Sequence, residues 1–197
     1  RMLDMSNWFN IMNLSLFIVV LGGRSLKSNI EIHDVRWVLG NSIEDTFPEL
    51  RRQWFGQKNG LHIDSYKCIK YIDGYKIVIS EVETKEINSI KNFSEDKTLW
   101  FVNLGGYNEN SMNEEHEFTL VVAKKATEAK KKAKNNWKAN LKKKHNDDYS
   151  GISKFDPIDN LHSIKNILNC EIKLIPDPKK RSEKLIPDWY GYMRIDN

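Results

Sequence analysis

The feature that most constrains this chain is an internal repeat at a fixed offset of 83 residues. The stretch "VLGGRSLKSNIEIHDV", residues 20–35, returns in altered form as "NLGGYNENSMNEEHEF", residues 103–118. Laid on one another without a gap, residues 16–69 and 99–152 share fourteen identities in 54 positions. Agreement of that kind marks a duplicated unit. The two copies must fold alike, so each element assigned in one copy is checked by the other.

Each copy opens with a β-branched and aromatic run, Leu16 to Val20 and Leu99 to Val102, which reads as a strand. Gly22-Gly23 and Gly105-Gly106 end it, freeing the backbone for a turn or a close approach. A polar loop leads to a second strand, in which His33, Val35, Trp37 and Leu39 alternate onto one face, with His33 pointing toward the core. His116, Phe118, Leu120 and Val122 repeat that face. A helix follows. Ile43, Phe47, Leu50 and Trp54 form its apolar stripe in the first copy; Ala126, Ala129, Ala133, Trp137 and Leu141 do so in the second. Pro48 places the helix start as late as Phe47, Thr46 to Glu49 reads as a capping box, and Gly56 reads as the stop. Trp54 and Trp137 read as anchors of helix to sheet.

"LHIDSYKCI" and "KHNDDYSGI" read as matching third strands, and "YKIVIS" and "CEIKLI" as fourth strands. The predicted fold class is α+β, with two tandem β-β-α-β-β units, each a small mixed sheet with one packed helix. The helix crossover makes the second and third strands candidates for parallel pairing. The predicted organisation is an extension over residues 1–13, units at 14–80 and 99–176, a connector at 81–98 and a tail at 177–197. Met12 reads as an original start, and Trp189, Tyr190 and Tyr192 of the tail are expected to dock on the body.

Composition narrows the function classes. The apolar run Leu16 to Leu21 is too short to span a bilayer, and its counterpart lies mid-chain where no signal peptide can be. Cys68 and Cys170 offer no disulfide framework, and both are expected to be reduced, buried side chains. The net charge of +4 conceals a division. Residues 124–144 hold ten lysines and one acid, Glu128, which leaves the rest of the chain at −5. These lysines lie opposite the alanine stripe and read as a solvated face, with a basic interaction module as the alternative. The absence of arginine there, and the acids of the first-copy helix (Glu44, Asp45 and Glu49), speak against nucleic acid as a partner common to both units.

The candidate site consists of Glu31 and His33 with His62 and Asp64, spaced two apart so that each pair projects to one side of an extended backbone. Their second-copy counterparts are Glu114, His116, His145 and Asp147. Two imidazoles and two carboxylates suit a divalent metal such as zinc or manganese, or a general base with its orienting acid. The leading expectation is a structural polar network in which each buried ring nitrogen finds a partner. Gly22-Gly23 lacks the third glycine and the following helix of a nucleotide fingerprint.

Gly22-Gly23, then "NIEIHDV" at 29–35, then "RRQWFG" at 51–56 and "LHID" at 61–64, resemble the family catalogued as domain of unknown function 1543. Asp34 belongs to the same motif, although the second copy has Glu117 in its place. The resemblance covers nearly all of residues 14–80 and thins over 99–175. It implies a mixed α/β bacterial cytoplasmic protein and assigns no activity. The expectation is therefore a non-enzymatic protein that binds a small ligand or a protein partner near the repeated Glu, His and Asp positions. The alternative is a metal-dependent enzyme at the same positions. A duplicated chain pairs its two units about a pseudo-twofold axis, so a monomer or weak dimer is expected.

Overall fold

The computed structural model of the chain describes residues 14–81, 96–107, 110–136, 143–144 and 158–197. Strands β1 (Ser15–Gly23) and β2 (Ile32–Gly40) form an antiparallel hairpin. A 3-10 turn at Glu44–Thr46 then leads into helix α1 (Phe47–Gln53), with Pro48 in its first turn. The expected capping box does not form. The Thr46 hydroxyl instead donates back to the Ile43 carbonyl at 2.6 Å, because the preceding turn offers it an acceptor. The helix stops at Gln53, before Gly56. Gly56 serves close approach instead, since a Cβ there would lie 2.5 Å from the Arg24 carbonyl oxygen.

Strand β3 (His62–Ile69) returns antiparallel to β1 on the side away from β2. The second and third strands thus run in the same direction but flank β1, and no parallel pairing occurs between them. Then come β4 (Tyr71–Ile72), β5 (Tyr75–Glu81), β6 (Thr98–Tyr107) and β7 (Glu114–Ala123). Helix α2 (Ala126–Asn136) is followed by β8 (Lys143–Lys144), β9 (Ile158–Ile164), β10 (Asn166–Ile167) and β11 (Cys170–Pro176). Strand β12 (Trp189–Arg194) ends the fold.

These strands build three antiparallel sheets, not two mixed ones. The first has the order β12-β3-β1-β2. In the second, β6 pairs with β7, β8 and β9. The third, β10-β11-β5-β4, joins the units, because β5 and β11 leave their own sheets and pair with each other.

Strand β9 holds the place in the second copy that β3 holds in the first. Leu16 pairs with Ile69 and Val20 with Ser65; Leu99 pairs with Ile164 and Asn103 with Asn160. The repeat offset is therefore 83 through the first two strands and 95 from the third strand onward. A twelve-residue insertion after the second helix accounts for the change. Asp73 and Leu168, 95 apart, both take positive φ in equivalent hairpins. The backbone N–H of Ile77 reaches Lys70 and that of Ile172 reaches Lys165 in the same way. "KHNDDYSGI" is thus not the third strand, and the match at His145 and Asp147 does not carry into this register. His145, Asp147, Trp137 and Leu141 lie outside the described residues.

Alternation gives each hairpin two working faces. Phe17, Val19, Leu21 and Val38 form a cluster with Leu50 of α1 and with Trp54, which caps that helix. Val102, Leu104, Val121 and Ala123 pack on Ala129 and Ala133 of α2. The opposite faces meet each other. Leu16, Ile18, Leu99, Phe101, Leu120 and Val122 share one core with Ile77, Ile172 and Leu174 of the joining sheet. The result is helix, sheet, sheet, helix, with the third sheet closing one end of the central core. Cys68 and Cys170 are partly buried and not joined as a disulfide.

Candidate functional site

Of the two readings of Gly22 and Gly23, the structure takes the close approach and not the turn. Both glycines are the last two residues of β1, and Gly22 lies opposite His33 on one side and His62 on the other. Cross-strand partners share a face, so both imidazoles project to the side facing the second unit. Strand β3 reaches that arrangement through a bulge. Val20 pairs with Ser65 and Leu21 with Ile63, so Asp64 is the extra residue. A bulge re-aims the side chains beyond it. Without this one, His62 would share the helix-facing side with Tyr66. The register skips Asp159 between β6 and β9 in the same way.

The missing side chain of Gly22 is part of the site. A Cβ there would stand 2.4 Å from His62 Nε2 and 3.0 Å from an Asp64 oxygen. Beside that space the structure gathers four of the expected residues. His62 Nε2 is 3.2 Å from Asp64 Oδ1 and 3.4 Å from Glu31 Oε1. His33 Nε2 is 3.2 Å from Asp64 Oδ2 and 3.8 Å from Glu31 Oε2. Each imidazole therefore meets both carboxylates.

The two rings differ in setting. The His62 side chain is 1% exposed, and its Nδ1 donates to the Gly60 carbonyl at 2.8 Å. Tyr192 of β12 covers it, ring centroids 4.1 Å apart. The His33 side chain is 52% exposed, contrary to the expected inward orientation. It does share the face of Val35, Trp37 and Leu39, but at its end that face opens into a cleft. Asp34 points away from the cluster. It forms an ion pair with Arg36, and its Oδ1 accepts the Val35 backbone N–H.

Tyr192 was not among the expected site residues, although the docking of the aromatic tail was. Trp189 stacks on Tyr66 at 6.0 Å, whereas Tyr190 is 80% exposed and does not dock. The tail is fixed further by Asp196, which accepts the Gly60 backbone N–H at 2.7 Å and pairs with Arg194. Those contacts hold the Asp196 carboxyl well below the usual carboxylate range. Ile195, buried, donates its N–H to the Leu61 carbonyl, and Arg51 Nε donates to the Ile195 carbonyl. The C-terminus thus braces the Gly60–His62 segment.

In the second copy, Glu114 and His116 are again adjacent, 3.6 Å apart, and Asn103 Nδ2 is 3.4 Å from His116 Nδ1. The shifted register puts Pro157 in the sequence position of His62 and Asp159 in that of Asp64. Among the described residues, no group of three or more His, Cys, Asp and Glu side chains stands ready-made around a metal position. In the first-copy cluster the carboxylates take up the imidazole nitrogens directly.

A cleft of about 630 Å³ runs between the two sheets beside this cluster. Three pairs of repeat counterparts line it: Val20 with Asn103, His33 with His116, and Val35 with Phe118. Trp37, Phe101 and His162 add a wall of rings, with Trp37 5.2 Å from Phe101 and 5.6 Å from His162. Arg36 and Asp34 sit at its edge as an ion pair.

Among the described residues, no lysine of the lysine-rich segment lines this cleft. Lys132 folds back to donate to the Val122 carbonyl and lies 3.6 Å from Glu128, while Lys124 pairs with Asp96. Among the described residues, no helix is long and apolar enough to cross a membrane.

The family described as Domain of Unknown Function (DUF1543) matches the chain twice, over residues 28–79 and 111–161. The chain belongs to that family and carries two tandem copies of its domain. It is also similar to the crystal structure of a protein Il1583 from Idiomarina loihiensis, with 30% sequence identity and a TM-score of 0.66. That likeness covers 92% of this chain and 98% of the other. No curated protein matches it.

Proposed function

We propose that this protein is a non-enzymatic binder of a small planar molecule, held in the cleft between its two units. The observation that carries the reading is the lining by repeat counterparts. Val20 and Asn103, His33 and His116, and Val35 and Phe118 face the same space. A core merely closing on itself would fill such a position with apolar side chains. Here three imidazoles and an amide share it with aromatic rings, the mixture of an apolar body and a few placed polar groups that suits a bound ligand. Phe101, Phe118 and Trp37 provide ring faces for stacking. His33, His116, His162 and Asn103 provide hydrogen bonds at the rim.

Titration with 8-anilinonaphthalene-1-sulfonate, a planar anion whose fluorescence rises on transfer from water, tests this. One saturable equivalent per folded chain is expected. His116→Trp, which fills the cleft from a half-exposed position, should abolish it. Unchanged binding in that variant, or no saturable binding at all, overturns the reading.

A further inference from the structure

We infer that Glu31, His33, His62 and Asp64 form a binding site for one divalent transition-metal ion, with zinc the best fit. His62 anchors the site. A carbonyl oxygen only accepts hydrogen bonds, so the contact with Gly60 fixes a proton on Nδ1. A neutral ring then presents a bare lone pair at Nε2. That lone pair faces Asp64 Oδ1 at 3.2 Å and Glu31 Oε1 at 3.4 Å, in a position almost closed to water. Lone pair against carboxylate is repulsive unless a cation stands between them. A second proton on the ring is one such cation; a metal ion is the other.

Three further observations favour the metal. The first is the backbone bond itself, since ligating histidines characteristically donate their other ring N–H to a carbonyl or carboxylate, which sets ring and tautomer. The second is proximity. The four donor contacts measure 3.2, 3.2, 3.4 and 3.8 Å. They use both oxygens of Asp64 and both of Glu31, so four carboxylate oxygens gather about the two ring nitrogens, and each carboxylate can offer either oxygen to one ion. The third is space, because Gly22 leaves room where any other residue would press a Cβ against Nε2.

Asp64 and Glu31 each divide their two oxygens between the imidazoles. Taking up an ion requires both carboxylates to turn so that one oxygen of each and both nitrogens address the same point. Asp64, Glu31 and His33 are all partly exposed, so these three can rotate while buried His62 stays fixed. Two neutral imidazoles and two carboxylates match the charge of the ion, a mixed N and O set of the kind that suits zinc and its neighbours. Tyr192 covers one side, and the exposed edge of His33 opens toward the cleft.

The test uses the full chain without an affinity tag, stripped with chelator and then dialysed. Zinc titrated by calorimetry should bind at one equivalent per chain, and cobalt should give the strong visible absorption of a tetrahedral site. His33→Ala and Asp64→Asn change partly exposed residues, and circular dichroism checks that both fold. Each should weaken zinc binding by more than about tenfold, the loss already seen when only an orienting partner is removed. His116→Trp should bind zinc like the parent chain, and Asp64→Asn should still bind the planar probe, so the two sites can fail separately. No zinc uptake by the parent chain, with the second proton therefore filling the role, overturns the proposal. So does uptake that survives both substitutions.

Discussion

Gly22 lies directly between His33 and His62 in the first sheet, and the space its missing side chain leaves is occupied by the His62 ring. That contact turns a glycine in a strand, normally a weakness, into a requirement.

Gly22→Ala should therefore destabilise the fold by about 1–3 kcal/mol, the usual cost of forcing extra volume into a packed site. Urea denaturation measures it. The backbone there is extended and paired, so the cost comes from the clash with His62, and His62→Ala in the same chain should recover most of it. Costs that simply add would show that the two residues do not compete for space.

The two histidines should behave differently on replacement. His62→Ala removes a buried ring and leaves the Gly60 carbonyl without its donor, a loss of about 1–3 kcal/mol. His33→Ala removes a half-exposed ring and should cost less than about 1 kcal/mol. Paired melting curves check the order, and an equal loss in both would contradict the described difference in burial.

Acid should release the tail. The Asp196 carboxyl is held below its ordinary value first by Arg194 and then by the Gly60 N–H. A depressed folded value means that the contribution is complete above the unfolded value, about 3.9 for aspartate. It is lost as pH falls further through the lower folded value. The Gly60 amide resonance, followed from pH 6 downward, should shift only in that acidic range. In Asp196→Asn that step should be absent, since the substituted side chain does not titrate.

The joining sheet should be the least tolerant of change. Val78 sits mid-strand in β5, where proline cannot donate to the ladder. Val78→Pro should cost about 2 kcal/mol or more, counting at least one unsatisfied buried group. Equilibrium unfolding should show both halves failing in one transition, because the core beneath that sheet draws on both units. Two separated transitions would argue for independent halves.

The first two strands of each copy were legible because alternation and repeated identities both mark them, and each copy checks the other. Helix α1 was legible from its stripe, and Pro48 marked its first turn correctly. The pairing of β5 with β11 was not legible. Partners nearly a hundred residues apart leave no local pattern, and either strand would have satisfied its own unit equally well on periodicity. The third strand of the second copy was misplaced because His145, Asp147 and Tyr149 happen to continue the offset of 83 across the insertion. The pairing "IDSYKCIK" with "IDNLHSIK" at offset 95 was available as a signal. At the candidate site, the two-residue spacing picked out four residues that the first copy brings together. It could not give the bulge at Asp64, which decides the face, or the cover by Tyr192, which depends on a strand arriving from the far end of the chain.

In the joining sheet, Val78 pairs with Lys173, and these two are each other's counterparts at the offset of 95. The symmetry axis therefore passes between them. A strand that meets its own copy across an axis is how two separate, identical chains would dock. The arrangement looks like a homodimer whose partners have been tethered into one polypeptide. Tethering frees the halves from having to stay the same. One half keeps histidine next to Ile63-Asp64; the other has proline next to Ile158-Asp159, and its helix face has filled with lysine. Selection can then act on each half separately, with one specialising in the chemistry of a pocket and the other retained as the wall it closes against.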